Sequence, residues 1–591
     1  MIIYNMAEKM LNLLEDIQKG ISPSYLGNFN KIINADLDTV KGGMTSNFRL
    51  RIDFPSDTVD VLTAKTFTAA VTDICTATNI QSDWKAGMSV TLTTTGTLPA
   101  GLSTSTIYYI FWNTGMTGNQ FKLADSLANL KSKTAVDITD TGTGTHTITP
   151  NILGNANGVL KNIVSYDNYL FAVDYAGQIW ANLTGYGETW LKIKGSSTVF
   201  NNIVIWKNYL VALSSTNAIE IFGSLKDMDT ADWKTWDTAP TFLTGGGYYP
   251  NCVMTNGFLY IGDNNWVASL NEVSGTVFDP TDGTTYNWNN QALNFTSDSN
   301  ITALEQYGLN LMIGVTNLTS KKASLYAWDT IQSSFFDGIT VNGYSIYPMK
   351  SFNGLLYFMT VDSAGFSMGK LYATNGSSTK EVASLQASGE VQLTNPPFIV
   401  YRFGMKINND KLYIGVGYQY RAGLYSYNPN TGAVLCEYLA QTQLTTNVNY
   451  EAFEFNGNDL IVGIYDNSYN YPYTNTIQRL YTSGTYRKAT SYFETGFYQI
   501  GTKRRQKTLQ FFEVTLGKKL VTGESVTLYF RNNNTDTYTL IGTMSYTLDG
   551  AIYSKVIDNA IVQGDQVQFK VVIDQASDAV VSPEIKSIYV S

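Results

Sequence analysis

Histidine is almost missing from this chain: among 591 residues there is one, His146. A single imidazole excludes a multi-histidine metal site, and any Ser-His-Asp or Cys-His arrangement would have to use this residue. It stands in the Thr/Gly run GTGTHTIT, whose alternation suits a strand, so no catalytic part is assigned to it. Cysteine is also scarce. Cys75, Cys252 and Cys436 form no CxxC pair and no metal framework, and three free, half-buried thiols are expected, as in a reducing cytoplasm. Charged residues make up only 15%, and their balance is −9 with a pI near 4.9, which argues against broad binding of phosphate backbones. No apolar run approaches the roughly 20 residues that span a bilayer, so no membrane insertion is expected. Met1–Asn5 lacks a basic region, and Glu8, Lys9, Glu15 and Asp16 interrupt any apolar stretch behind it, so no secretory signal is read.

What is plentiful points one way. The chain has 40 Tyr, 28 Phe and 49 Gly, with Thr and Asn throughout. Aromatic and β-branched residues fit pleated surfaces, while Gly and Asn supply tight turns between short strands. The expected class is all-β, in several domains because of the length. One helical pattern stands out, at 4–19, where Met6, Met10, Leu13, Leu14 and Ile17 share a face, with Pro23 and Gly27 behind it. It reads either as a helix folded back on the body or as a docking helix that buries its Met/Leu stripe against a partner.

An internal repeat dominates the middle. Each copy has a strand, a tight polar turn, an apolar strand and a third strand rich in Leu, Tyr or Trp, as in NIVSYDNYLFAV…GQIWAN and NIVIWKNYLVAL…IEIFGS. The equivalent leucines are Leu170, Leu210, Leu259, Leu311, Leu356, Leu412 and Leu460, at intervals bracketing the length of a propeller blade. A meander with two apolar faces cannot bury both alone, whereas radial stacking buries each against a neighbour. Asn256-Gly257, Asn353-Gly354 and Asn456-Gly457 are strong hairpin signals. The spacing predicts a β-propeller over 151–488 of about seven blades, with six or eight left open and a pair of β-sandwiches as the other architecture.

Two flanking stretches have different wording. Residues 66–150 form a Thr/Gly-rich unit, with an alternating strand from Ser89, a turn at Leu98-Pro99-Ala100-Gly101 and a strand near Thr106–Trp112. Its order TLPAGL…YYI…FKLA…GTGTHT resembles a small β-domain of bacteriophage tail and other virion proteins. Residues 489–591 alternate strongly, as in KTLQFFEVTL, SVTLYFR and QVQFKVVI, and predict a C-terminal β-sandwich. That region, with its FETGFYQIG opening and KRRQK stretch, resembles the sandwich closing many phage propeller proteins. Residues 1–43 are read as a helical or extended docking segment, and 44–65 as a linker or a propeller-closing strand. The 66–150 unit is expected to project and to be removable.

No constellation for chemistry emerges. Asp174-Tyr175-Ala176-Gly177-Gln178-Ile179-Trp180 is similar to a sialidase Asp-box, but its Asp-to-Gly spacing is one residue too long, and it reads better as a hairpin with Trp180 packed between blades. No phosphate loop or EF-hand pattern is present, and no catalytic, metal or cofactor-binding residue is assigned. The one basic cluster is Lys503, Arg504, Arg505 and Lys507. It reads as a solvated edge that blunts strand aggregation or as a contact with an acidic neighbouring subunit.

Taken with the two resemblances, the expectation is a non-enzymatic virion protein, resembling the propeller nozzle or hub of short-tailed phage tails. Such a subunit would be assembled in the host cytoplasm, form a homo-oligomeric ring around the DNA exit channel and dock onto portal, adaptor or other tail components, while DNA passes without specific binding. The alternatives are a receptor-binding or fibre protein recognising surface glycans, and a propeller glycoside hydrolase.

Overall fold

The repeated wording folds, in a computed structural model of the chain, into a succession of small antiparallel sheets. The structure describes residues 11–12, 29–33, 35–38, 43–46, 51–52, 63–84, 86–151, 160–167, 169–182, 190–195, 199–214, 219–225, 233–237, 252–336, 338–385, 398–417, 422–439, 448–456, 459–466, 475–480, 490–495, 498–500, 507–533, 536–557, 561–564, 566–574 and 583–590. Two compact units are present: one holds residues 51–351 and 450–479, the other 1–50, 352–449 and 480–591.

Among the described residues, seven sheets carry the repeat, and the fold is an all-β propeller. The first sheet runs Leu160–Tyr166, Tyr169–Asp174, Ile179–Asn182, Trp190–Lys194, each strand paired with the next. The hairpin chemistry is visible in the backbone: Asn256 and Gly257 have φ of 51° and 81°, and Asn353 and Gly354 have 48° and 75°. Two successive positive φ values define the turn whose twist matches that of the flanking strands. In consequence each marker leucine falls at the second residue of the strand that leaves its repeat's first turn, and all seven are at most 1% exposed. Leu356→Ala should therefore cost about 2–5 kcal/mol in urea unfolding, as truncations of fully buried leucine do; a loss under about 1 kcal/mol would contradict that packing.

In the first unit, the first sheet packs against the second on one side and the seventh on the other. Leu160, Ile163, Leu170, Trp180 and Trp190 share a cluster with Ala452 and Ile461 of the seventh. Trp180 thus packs between blades, as its hairpin suggested. The seventh sheet is completed by Arg51–Ile52, which pairs with Gln478 and Arg479, so a strand from before the propeller supplies its last outer edge. Arg51–Ile52 lies within the segment 44–65, read from sequence as a linker or a propeller-closing strand.

Residues 65–150 form a closed six-stranded barrel, in the order Gln120–Ala124, Cys75–Thr76, Lys65–Ala69, His146–Pro150, Ser89–Thr94, Tyr108–Phe111. Its own core holds Phe67, Ile80, Trp84, Val90, Ile110, Phe121 and Ile148. A second face, Tyr109, Phe111, Ala124, Leu127 and Leu130, shares one apolar cluster with Phe171, Ile179, Leu191, Leu210 and Phe222 of the first two sheets. The Tyr109 hydroxyl donates to the Lys192 carbonyl (3.3 Å), and the Lys192 N–H donates to Ser89 Oγ (2.9 Å). The barrel was expected to project from the body; its outer face instead shares an apolar cluster with the propeller.

In the second unit, two sheets make the sandwich, and strands from both ends of the chain build them. One runs Ala35–Asp38, Gly43–Ser46, Ile585–Val590, Phe512–Leu516, Ser554–Ile557; the other runs Phe29–Ile33, Thr490–Thr495, Gln566–Asp574, Ser525–Arg531, Thr539–Ser545. The sequence reading drew the sandwich from 489–591 alone. Leu11–Asn12, inside the span read as helical, is instead a short strand paired with Val590 and Tyr589. Backbone pairing to the last strand of the chain outweighs a local helical pattern too short to be stable alone. Met6, Met10, Leu13, Leu14 and Ile17 lie outside the described residues, as do Lys503, Arg504 and Arg505.

Candidate functional site

Of the residues singled out from sequence for partner contacts, the structure places one. Lys507 opens the strand Lys507–Leu509, opposite Gly564. His146, the lone imidazole, is buried in its strand. Its Nδ1 lies 2.9 Å from Thr94 Oγ1 and its Nε2 3.2 Å from the Thr141 carbonyl, with the Phe67 ring 5.6 Å away. Both nitrogens are held internally. Cys75 is free and fully buried, not half-buried, and burial pushes its thiol up to about 12.

Buried charge gathers elsewhere, at the seam between the first, second and seventh sheets. Counting back from the hairpin that ends each first strand, Lys161, Asn201, Thr302 and Glu451 occupy one position, five residues before Tyr166, Trp206, Tyr307 and Asn456. All four are buried. In three of these strands the register slips here, between Leu160 and Asn162, Phe200 and Asn202, and Ile301 and Ala303. A bulge inserts one residue and re-aims its side chain, so a polar residue enters the interface between blades.

The partners are specific. Lys161 Nζ donates to Asn201 Oδ1 (2.7 Å) and to the Phe200 carbonyl (3.0 Å) of the second sheet, and lies 5.5 Å from the Tyr175 ring. Asn162 Nδ2 donates to Asn202 Oδ1 (2.9 Å). Asp174 accepts from the Gln178 N–H (2.8 Å) and from Trp180 Nε1 (3.0 Å), so both its oxygens serve the hairpin. Glu451 accepts from the Tyr175 hydroxyl, and its Oε2 has no partner among the described residues.

Electrostatics follows from burial. Loss of water raises Glu451 to about 8, with the Tyr175 hydroxyl and the Lys161 charge offsetting only part of this. Burial likewise raises Asp174 and lowers Lys161 and Lys192, while the opposite charges counteract. Such a seam can hold a proton and lock blades together. Its carboxylates, Asp174 and Glu451, are both buried. Sequence reading named Asp174 and missed Lys161, Asn201 and Glu451. The available signal was a polar residue at a constant offset from four of the seven hairpins.

No family model matches the chain, and no curated protein matches it. Similar solved structures include a catalytically inactive virginiamycin B lyase from Staphylococcus aureus with quinupristin, at 9% identity and TM-score 0.38, covering 56% of this chain and 98% of that one. The Pan2 WD40 domain of Neurospora crassa is 10% identical (TM-score 0.35), covering 55% of this chain and 90% of that one. The RRP9 WD40 repeats are 14% identical (TM-score 0.36), covering 56% and 96%. At such scores the likeness assigns neither a partner nor a chemistry to this chain.

Proposed function

We propose that this chain is a structural subunit of a bacteriophage particle, a tail nozzle or hub component that assembles as a homo-oligomeric ring around the DNA path. The reading is carried by the wording of residues 66–150, which resembles a virion β-domain and folds here as a barrel set on a propeller. Supporting it are an acidic balance unsuited to holding DNA, a lone histidine with both nitrogens occupied, and Asp174 spent on its own hairpin. The work of such a subunit is geometric, and its interface energy comes from buried aromatic and aliphatic side chains more than from charge.

The test is direct. Negative-stain images of the purified full-length chain at rising concentration should show closed rings, and antibody labelling of particles should mark the tail. A chain that stays monomeric and labels fibre tips would favour the receptor-binding alternative. Reproducible cleavage of host polysaccharide would favour the hydrolase.

A further inference from the structure

Lys161 and Asn201 are each the extra residue of a bulge, in the first strands of the first two sheets. The bulges turn both side chains into the interface between these sheets, where both are buried. Lys161 Nζ lies 2.7 Å from Asn201 Oδ1. A carbonyl bond is about 1.23 Å long, so the amide carbon of Asn201 is no more than about 4 Å from the amine. An amine and an amide carbon held this close are the two reactants of an acyl transfer.

An ammonium has no lone pair, so the amine must first lose its proton. Burial disfavours the charge on Lys161 and lowers it from the ordinary lysine value, while Asp174 and Glu451 act the other way. Of these two acids, Asp174 uses both oxygens on its hairpin, toward the Gln178 N–H and Trp180 Nε1. Glu451 is placed differently. It accepts from the hydroxyl of Tyr175, and its Oε2 has no partner among the described residues. The Tyr175 ring in turn lies 5.5 Å from Lys161 Nζ. Burial raises Glu451 to about 8, so it can take up a proton and return it near neutrality. The flanking Leu160, Phe200 and Ala452 are at most 2% exposed, which keeps bulk water from competing with the amine.

We infer that Lys161 and Asn201 join in an amide bond, with Glu451 carrying the protons, so that the first two blades become covalently linked. Lys161 first passes a proton to Glu451, which cancels two buried charges. The Nζ lone pair then attacks Cγ of Asn201 while Glu451 protonates Oδ1. Glu451 next relays a proton from Nζ to Nδ2. The Cγ–Nδ2 bond breaks, ammonia leaves, and the carbonyl re-forms as the Oδ1 proton returns to Glu451. One C–N bond forms and one breaks, nothing is oxidised or reduced, and Glu451 ends protonated. The bond ties positions 40 residues apart and constrains the unfolded chain as a disulfide does, but thiol reductants do not open it. It also neutralises Lys161, so the attraction between Lys161 and an ionised Glu451 belongs to the unreacted chain.

Intact mass and tryptic mapping of the purified full-length protein test this. The wild-type chain should be lighter than its sequence by one ammonia. Trypsin should no longer cut after Lys161, and a branched peptide should join residues 134–192 to residues 195–207. That peptide separates the bond from cyclisation of Asn201 on its own backbone, which also loses ammonia but leaves Lys161 cleavable. Lys161→Arg and Asn201→Ala should each have the full mass of their own sequences. Glu451→Gln should slow the bond by about a hundredfold or more, read as the unreacted fraction in samples taken through expression. A wild-type chain of full sequence mass that is cut after Lys161 overturns the inference, whether or not the variants fold. A branched peptide that forms equally fast in Glu451→Gln overturns the part given to Glu451.

Discussion

Deleting residues 66–150 and rejoining the chain should yield a protein that aggregates, binds a hydrophobic dye and loses its cooperative melt. The barrel closes on itself and has its own core, which by itself would suggest that it could be removed. Its outer face, however, covers apolar side chains of the first two sheets, among them Phe171, Ile179, Leu191 and Phe222. Uncovering several large side chains costs about 1.5–3 kcal/mol each, against a total stability of roughly 5–15 kcal/mol for an ordinary domain. Phe111→Ala is the milder version, with an expected loss of about 3–5 kcal/mol in urea unfolding. A deletion protein that stays soluble and melts in one sharp transition would show that the shared cluster is dispensable.

Replacing Glu451 with glutamine should abolish most of a fall in stability that the wild-type protein shows as pH rises. The native carboxyl titrates near 8 because burial disfavours its charge, against an ordinary value of 4.5. Between those two values the folded protein holds a proton that the unfolded chain releases. The contribution of this group is therefore full below about 4.5, declines across the window, and is lost above about 8. Lys161 softens the loss, since the ionised carboxylate gains its attraction. The expected gain of the variant over wild type, on going from pH 5 to pH 9, is on the order of a few kcal/mol. Urea midpoints at pH 5, 7 and 9 provide the measurement, and parallel pH profiles for the two proteins would mean that Glu451 does not titrate in this way. Because Glu451 and Lys161 lie where the last blade meets the first, the same titration should loosen that seam before the rest.

Much of the propeller was legible because its signals are local. An Asn-Gly pair needs no distant partner to adopt two positive φ values, and period-two alternation marks a half-buried strand wherever it lies. That is why the marker leucines from Leu170 to Leu460 could be aligned by wording and then occupy one register in seven sheets. The barrel's limits were legible for the same reason, since Thr-rich strands and Gly turns separate it from the blades. The seam was not legible. Lys161 looks like a surface lysine at the start of a strand, and only the bulge beside it, together with Glu451 nearly 300 residues away, turns it inward.

The sequence by itself determined the class, the order of the repeats, the turns and the exclusion of a multi-histidine site, because each follows from residue type and short-range spacing. The tertiary structure alone decided which distant strands complete which sheets. Arg51–Ile52 closes the seventh blade, strands before residue 47 enter the sandwich, and Leu11–Asn12 becomes a strand despite lying in a helical pattern. It also decided that one face of the barrel is core and not surface. Edge pairing and the burial of a shared apolar face are long-range events, settled by which surfaces meet once the chain has folded, and no local pattern encodes the partner.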